Sequence, residues 1–230
     1  MQPSPASVWT KRIIMMLVVF SGFVFYFLFL HNRVHLAPLP YIGPRLGTEV
    51  NPETGEADTI YHTIPDFKLV NERGDTVTGK DVFGHIYVAD FFYATCRSIC
   101  PVMTHQMKRV QDAYAKDEDV RMLSHTVDPA NDSVGALKVY AELHEAIPGK
   151  WQFLTGPKKD LYKLAMEGYF MNALEGSTPE DPFIHDNHFV LVDKERHIRG
   201  IYDGTDSVEV SRLIDEIRVL EKFYQSPEQE

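Results

Sequence analysis

A run of ten residues, His85–Ala94 (HIYVADFFYA), restricts the possible folds of this chain more than any other feature. Aromatic and β-branched residues stand at both parities of the run, so it is expected as a strand buried on both faces, with layers packed above and below it. Directly after it come the only two cysteines of the chain, Cys96 and Cys100, and then Pro101. The next segment, VMTHQMKRVQDAYAK, brings Val102, Met103, Met107, Val110 and Tyr114 close to one helical stripe. Proline suits the first helical position, which makes Cys100 the expected cap and leaves Cys96 in the turn before it. VRMLSHTV (120–127) then reads as the next strand, giving a strand, helix, strand unit and hence a parallel pair.

The pattern recurs downstream. NDSVGALKVYAELHEAI is expected as a helix capped by Asp132 or Ser133, WQFLTG as a short strand and PKKDLYKLAMEGYF as a third helix. HFVLVDKERHIRGIYDG carries two strands about a turn at Lys194–Arg196. The terminal TDSVEVSRLIDEIRVLEKFY has helical apolar spacing at Val208, Leu213, Ile217 and Leu220. Ahead of the central strand, IPDFKLVNERGDTVTGKD reads as a hairpin turning at Asn71–Asp75. A parallel βαβ core closed by a hairpin and a helix is the layout of a thioredoxin-like α/β fold, a central mixed sheet flanked by helices.

The N-terminal part has a different character. Residues 13–30 form an uncharged apolar stretch of about the length that crosses hydrocarbon as a helix. Leu30 runs into HNRVHLAPLP without a small-residue cleavage site, which favours an uncleaved anchor over a signal peptide. Lys11 and Arg12 precede the stretch and only Arg33 follows it closely. This bias puts residues 1–12 in the cytoplasm and the rest on the outer, periplasmic face of a plasma (inner) membrane crossed once. Residues 31–60, with their prolines and glycines, read as an extended linker, 61–224 as the globular domain and 225–230 as a polar tail. A net charge of −10 with no basic field excludes nucleic acid as a partner.

A purely structural disulfide between Cys96 and Cys100 would close a very short loop, worth on the order of 2 kcal/mol before strain. Their place between a strand end and a helix start favours thiolates, and with them ligation or exchange chemistry. Three intervening residues widen the bite beyond that of the usual two-residue redox pair, letting two sulfurs converge on a soft ion such as Cu(I). Met103 and Met107, four residues apart behind the pair, are expected in the core instead of on the metal. A thiol-disulfide oxidoreductase using the same two cysteines is the alternative. A peroxidase drawing on Thr95 and Arg97 is a third reading.

FFYATCRSICP, SHTVDPANDS and FIHDNHFVLVDKERHIRGIYDGT together resemble the SCO/SenC family of thioredoxin-like copper proteins, over roughly Ile64–Tyr224. The resemblance implies one copper ion, Cu(I) or Cu(II), held by Cys96, Cys100 and His185, with His188 as the competing histidine. It implies a membrane-anchored metallochaperone that assists assembly of the dinuclear copper centre of cytochrome c oxidase. The partner would be the copper-bearing subunit or another copper-receiving protein. His105 and His125 are expected to be ordinary polar residues. The wording FYAT before the first cysteine departs from the family pattern, as does Arg97, whose cation beside Cys96 is expected to lower the thiolate pKa. Asp128 and Asp132 are expected to form a turn and helix cap, or else to position the cysteine loop or a docking partner.

Overall fold

The computed structural model describes residues 14–24, 39–50, 57–171, 175–178, 181–183 and 186–225, with Trp9 and Gly55 as single positions. It divides into two compact units, residues 1–37 and residues 38–230. In the first, residues 14–24 form a helix, α1, whose side chains are exposed. Among the described residues no helix is long and apolar enough to cross a membrane. The expected span 13–30 extends past α1 to Ile13 and to residues 25–30, which lie outside the described residues.

The second unit is built on a seven-stranded mixed sheet of order β11-β10-β5-β6-β7-β3-β4. Its strands are β3 (Lys68–Asn71), β4 (Thr76–Thr78), β5 (Ile86–Phe92), β6 (Val120–Thr126), β7 (Trp151–Thr155), β10 (His188–Val192) and β11 (Ile198–Asp203). Two small ribbons lie outside it, β1 (Arg45–Val50) with β2 (Ala57–Tyr61) and β8 (Glu175–Thr178) with β9 (Asp181–Phe183). The helices are α2 (Gly79–Val82), α3 (Cys100–Ala113), α4 (Val134–Leu143), α5 (Lys158–Lys163), running on into a π-turn at Leu164–Gly168, and α6 (Ser207–Gln225). Strands β5, β6 and β7 are parallel neighbours, whereas β10 runs antiparallel to β5, with Val190 opposite Ala89. The expected central strand is found: every residue of β5 is buried.

Alternation along the strands divides the core in two. On one face Tyr140 of α4 packs against Phe92 and Phe153, Tyr114 of α3 donates to the Ile214 carbonyl of α6 at 2.6 Å, and the Tyr202 hydroxyl reaches Glu216 of α6. On the other, Tyr169, just past the π-turn, packs against Phe91 and His125. Both methionines behind the cysteines are core residues, Met103 and Met107 being almost fully buried.

Some local expectations shift. Val102 and Val208 were expected on apolar stripes, yet they are 45% and 71% exposed. Val210 takes the buried position at the start of α6, since the stripe begins only after the capping turn. Cys100 is itself the first residue of α3 and Ile99 precedes it as the cap, so Pro101 falls one position later than expected. It still sits within the first turn, where the missing amide costs nothing. Part of the expected linker forms the β1–β2 ribbon, with Gly47 opposite Ile60 and Val50 opposite Ala57. Strand residues there are separated by turn formers, which hid the alternation from a reading based on proline and glycine content.

Candidate metal centre

Strand β5 delivers the chain to the cysteine turn, and α3 carries it away. Both cysteines are free thiols, with Cys96 8% exposed and Cys100 2%. The turn is held by backbone bonds from the Cys96 amide to the Tyr93 carbonyl at 3.2 Å and from the Val102 and Met103 amides to the Ile99 carbonyl at 3.0 Å each.

The two sulfurs differ in kind. Cys96 accepts a hydrogen bond from the Cys100 thiol, a contact to the Ser98 hydroxyl at 3.5 Å, and the Cys100 and Ser98 amides. Against the opposing effect of burial these pull its pKa well below that of a free thiol, which favours the thiolate at Cys96. Cys100, donating to that thiolate and buried deeper, has its own pKa raised, and the nearby Asp90 carboxyl adds to the rise. Where two thiolates were expected, one anion is solvated by the other group's proton, because a second unscreened charge in the same buried turn would repel the first. Arg97, expected to lower the thiolate pKa, is exposed to solvent. The groups that lower the Cys96 pKa are the Cys100 thiol, the Ser98 hydroxyl and backbone amides.

Behind the turn stands Asp132. Its carboxylate accepts the Ala94 amide at 3.1 and 3.3 Å and the Thr126 hydroxyl at 2.5 Å, so it ties the start of the cysteine turn to the end of β6. Burial raises its pKa against those bonds. Ser133 is the α4 cap, accepting the Ala136 amide at 3.3 Å. Asp128 is fixed by Asn131 at 2.7 Å. Of the alternatives open for this pair of acids, Asp132 positions the cysteine loop and Asp128 closes its own turn.

His185 lies outside the described residues, as do Asn172, Ala173, Leu174, Pro179, Glu180 and Ile184. His188 opens β10 opposite Asp203, and its Nδ1 lies 2.6 Å from the Asp186 carboxylate. Because β10 runs antiparallel to β5, it starts at the end of the sheet where β5 gives way to the cysteines. His125, by contrast, is a fully buried core residue, stacked on Phe91 at 4.9 Å between ring centroids.

Among the described residues one other group has metal-ligand composition, Asp193, Glu195 and His197, in the β10–β11 turn at the opposite end of the sheet. Asp193 is there occupied by the Arg199 guanidinium at 2.8 Å and by the Glu195 and His197 amides, which is turn architecture.

Two contributors were not picked out in the sequence. Ser98 sits two residues after Cys96, a spacing at which a hydroxyl commonly reaches back to a neighbouring acceptor. Asp90 was visible as the one acid inside the apolar run; it is buried, accepts the Ser124 hydroxyl at 2.5 Å, and burial lifts its pKa to about 7. Chemically the centre offers a ready thiolate, a second sulfur that must shed its proton before it can ligate, and a rigid turn that keeps both in hydrogen-bond contact.

Residues 55–220 match the SCO1/SenC family model. A SCO1 protein homolog of Bacillus subtilis (strain 168) is 29% identical over 163 residues, covering 70% of this chain and 84% of the relative. Among solved structures, BsSco, a member of the Sco family of cytochrome c oxidase assembly proteins with an identified disulfide switch, superposes with a TM-score of 0.61. It is 28% identical, over 72% of this chain and 96% of that one. The structure of Bradyrhizobium japonicum ScoI with copper bound gives a TM-score of 0.56 at 20% identity, covering 67% of this chain and 98% of that one, which speaks for the fold alone. With the family model matched over most of its length and the strand, cysteine turn and helix in place, this chain belongs to the SCO1/SenC family.

Proposed function

We propose that the protein is a copper-binding assembly factor, held at the outer face of a plasma (inner) membrane by residues 13–30, that passes one copper ion to the copper-bearing subunit of cytochrome c oxidase or another copper-receiving protein. Cys96, Cys100 and His185 hold the metal, which is cargo. The observation that carries this reading is the pair of free cysteines in one strand-to-helix turn, close enough for their sulfurs to share a hydrogen bond. Two thiolate sulfurs suit Cu(I), and a histidine nitrogen completes a site that also accepts Cu(II). The resemblance assigns the third ligand to His185, three residues before β10, a strand that enters at the cysteine end of the sheet. Family membership supports the metal. The exposed apolar helix α1 and the uncharged residues flanking it support the anchor.

The asymmetry of the two thiols favours a second reading, a thiol-disulfide oxidoreductase. The Cys96 thiolate would attack a client disulfide, expel one client thiolate and form a mixed disulfide. Cys100, giving up its proton, would then attack the Cys96 sulfur and release the second client thiolate, leaving the client reduced by two electrons and this chain oxidised.

One experiment separates the readings: the reduced protein is titrated with Cu(I) against a competing chelator, as wild type and as His185→Ala, His188→Ala and Cys96→Ser, and each variant is assayed for reduction of a disulfide client. Losing a ligand should weaken copper binding at least about tenfold, or about 1.4 kcal/mol, for His185→Ala and Cys96→Ser and not for His188→Ala. Client reduction should survive His185→Ala. Equal copper binding by wild type and His185→Ala, with client reduction intact, would leave a redox couple and remove the copper role.

A further inference from the structure

Between Asp90 and Asp112 the sequence carries no acidic residue, in a chain with 33 Asp and Glu among 230 residues and a net charge of −10. That acid-free stretch is the end of β5, the cysteine turn and almost all of α3. It displays Arg97, Ser98, Pro101, Val102 and His105 to solvent. Two of its cations are engaged inside the molecule. Lys108 pairs with Asp112 and Glu145, and Arg109 binds Gln106, the Ser207 carbonyl and the Ser211 hydroxyl. Arg97 has no hydrogen-bond or ion-pair partner among the described residues. It is also not needed for the thiolate, which is held by the Cys100 thiol, the Ser98 hydroxyl and backbone amides. An exposed cation beside the reactive sulfur, next to an exposed proline and valine, therefore has no task within the described part of the domain.

We propose that Arg97, Pro101, Val102 and His105 form the face on which the exchanging partner docks, and that the partner presents acidic residues around an apolar contact. The proposal rests on the reading of the cysteine pair as an exchange site and adds the chemistry of what approaches it. Charge complementarity at such a face governs orientation and encounter rate more than final affinity. The chain as a whole is negative, whereas the stretch around Arg97 carries no acid in sequence, so an acidic partner meets less repulsion at this face than a net charge of −10 would suggest. At physiological ionic strength fields decay over roughly 8 Å, so the local cation, not the net charge, decides the docked contact. Apolar Val102 and Pro101 supply the desolvated part of the contact.

The test uses the full-length chain in detergent, reduced and free of metal, with a fluorescent cysteine-free peptide in which leucines are flanked by aspartates, and a twin in which lysines replace the aspartates. Anisotropy titrations at low and high salt read the preference for the acidic peptide. The wild type should prefer the acidic peptide at low salt and lose the preference at high salt. Arg97→Glu should reduce it about fivefold, Arg97→Gln by a smaller factor, and Lys138→Glu, an exposed site on α4, should leave it unchanged. Circular dichroism of each variant confirms that the fold is retained, and Arg97→Gln carries the test if Arg97→Glu is unstable. Retention of the preference in the Arg97 variants, or an equal loss in Lys138→Glu, overturns the proposal. Because the probe carries neither thiol nor metal, this outcome is independent of whether the chain binds copper.

Discussion

The Asp132 carboxylate binds an amide at the start of the cysteine turn and a hydroxyl at the end of β6, two groups that are buried or nearly so and would otherwise lack an acceptor. Hydrogen bonds to a charged group contribute more than neutral ones, and an orphaned buried donor is costly. Asp132→Asn keeps the shape but turns one acceptor oxygen into a donor nitrogen; it should cost about 2 kcal/mol in urea unfolding and speed hydrogen exchange at the Ala94 amide. An unchanged Ala94 exchange rate would mean that the turn is held by its own backbone bonds. The sequence marked Asp132 as a polar residue at a helix start, which it is, but could not say that Ser133 would cap the helix and free Asp132 for the neighbouring loop. The distinction depends on a partner, Ala94, that lies 38 positions away. Val102 and Val208 make the same point from the apolar side: helical spacing places a residue on a face, while exposure depends on what covers that face.

Neighbouring strands β5 and β6 carry two buried titratable groups on opposite faces, Asp90 and His125, joined by a 3.3 Å contact from His125 Nδ1 to the Asp90 carbonyl. Burial raises the Asp90 pKa from 3.8 to about 7 and lowers that of His125 from 6.5 to about 4. For Asp90 the folded state holds its proton more tightly than the unfolded state, so its contribution is complete below about pH 4 and is lost as pH rises towards about 7. For His125 the unfolded state takes the proton first; its contribution is complete above about pH 6.5 and is lost as pH falls towards about 4. Each is worth roughly 3 to 4 kcal/mol at full extent by the linkage relation, and over pH 4 to 7 they oppose one another. Urea unfolding at several pH values should therefore show that, relative to wild type, Asp90→Asn loses stability on acidification from pH 7 to 4.5 and His125→Gln gains it. Parallel profiles for all three proteins would rule the linkage out. The run HIYVADFFYA made the buried strand legible in the sequence, because both parities are apolar. The acid within it was legible as an oddity, but its protonation depends on Ser124 across the sheet and on the depth of the core.

At the scale of the domain, one buried arginine ties its first residues to the β10–β11 hairpin. Arg199 binds Asp193 at 2.8 Å, donates to the Leu39 and Pro40 carbonyls and lies 4.2 Å above the Tyr41 ring. Ile42 continues the clasp by bridging to Ile198, at the start of the edge strand β11. Removing residues 1–38 should leave these contacts intact. Removing residues 1–43 takes away two carbonyl acceptors and a stacked ring from a guanidinium that is only 2% exposed, at a cost of about 3 kcal/mol. Comparing the urea midpoints of chains 39–230 and 44–230 checks this, and equal midpoints would make the clasp dispensable. Gly43 belongs to the same region: with φ +121 it suits glycine, and a Cβ there would meet the Phe170 ring at 3.0 Å.

The sequence by itself determined the features whose information is local. The period of the apolar residues set the parallel strand and helix units, Pro101 fixed the helix start to within one residue, and the spacing of Cys96 and Cys100 put two sulfurs in one turn. Only the tertiary structure decided which sulfur keeps its proton, because that follows from burial and from which thiol can donate to the other. Tertiary contact also turned residues read as a loose tether into a docked segment and ribbon. Arg199 finds its Leu39 partner 160 positions away, and no local pattern of prolines and glycines records a contact that exists only once the chain has closed on itself.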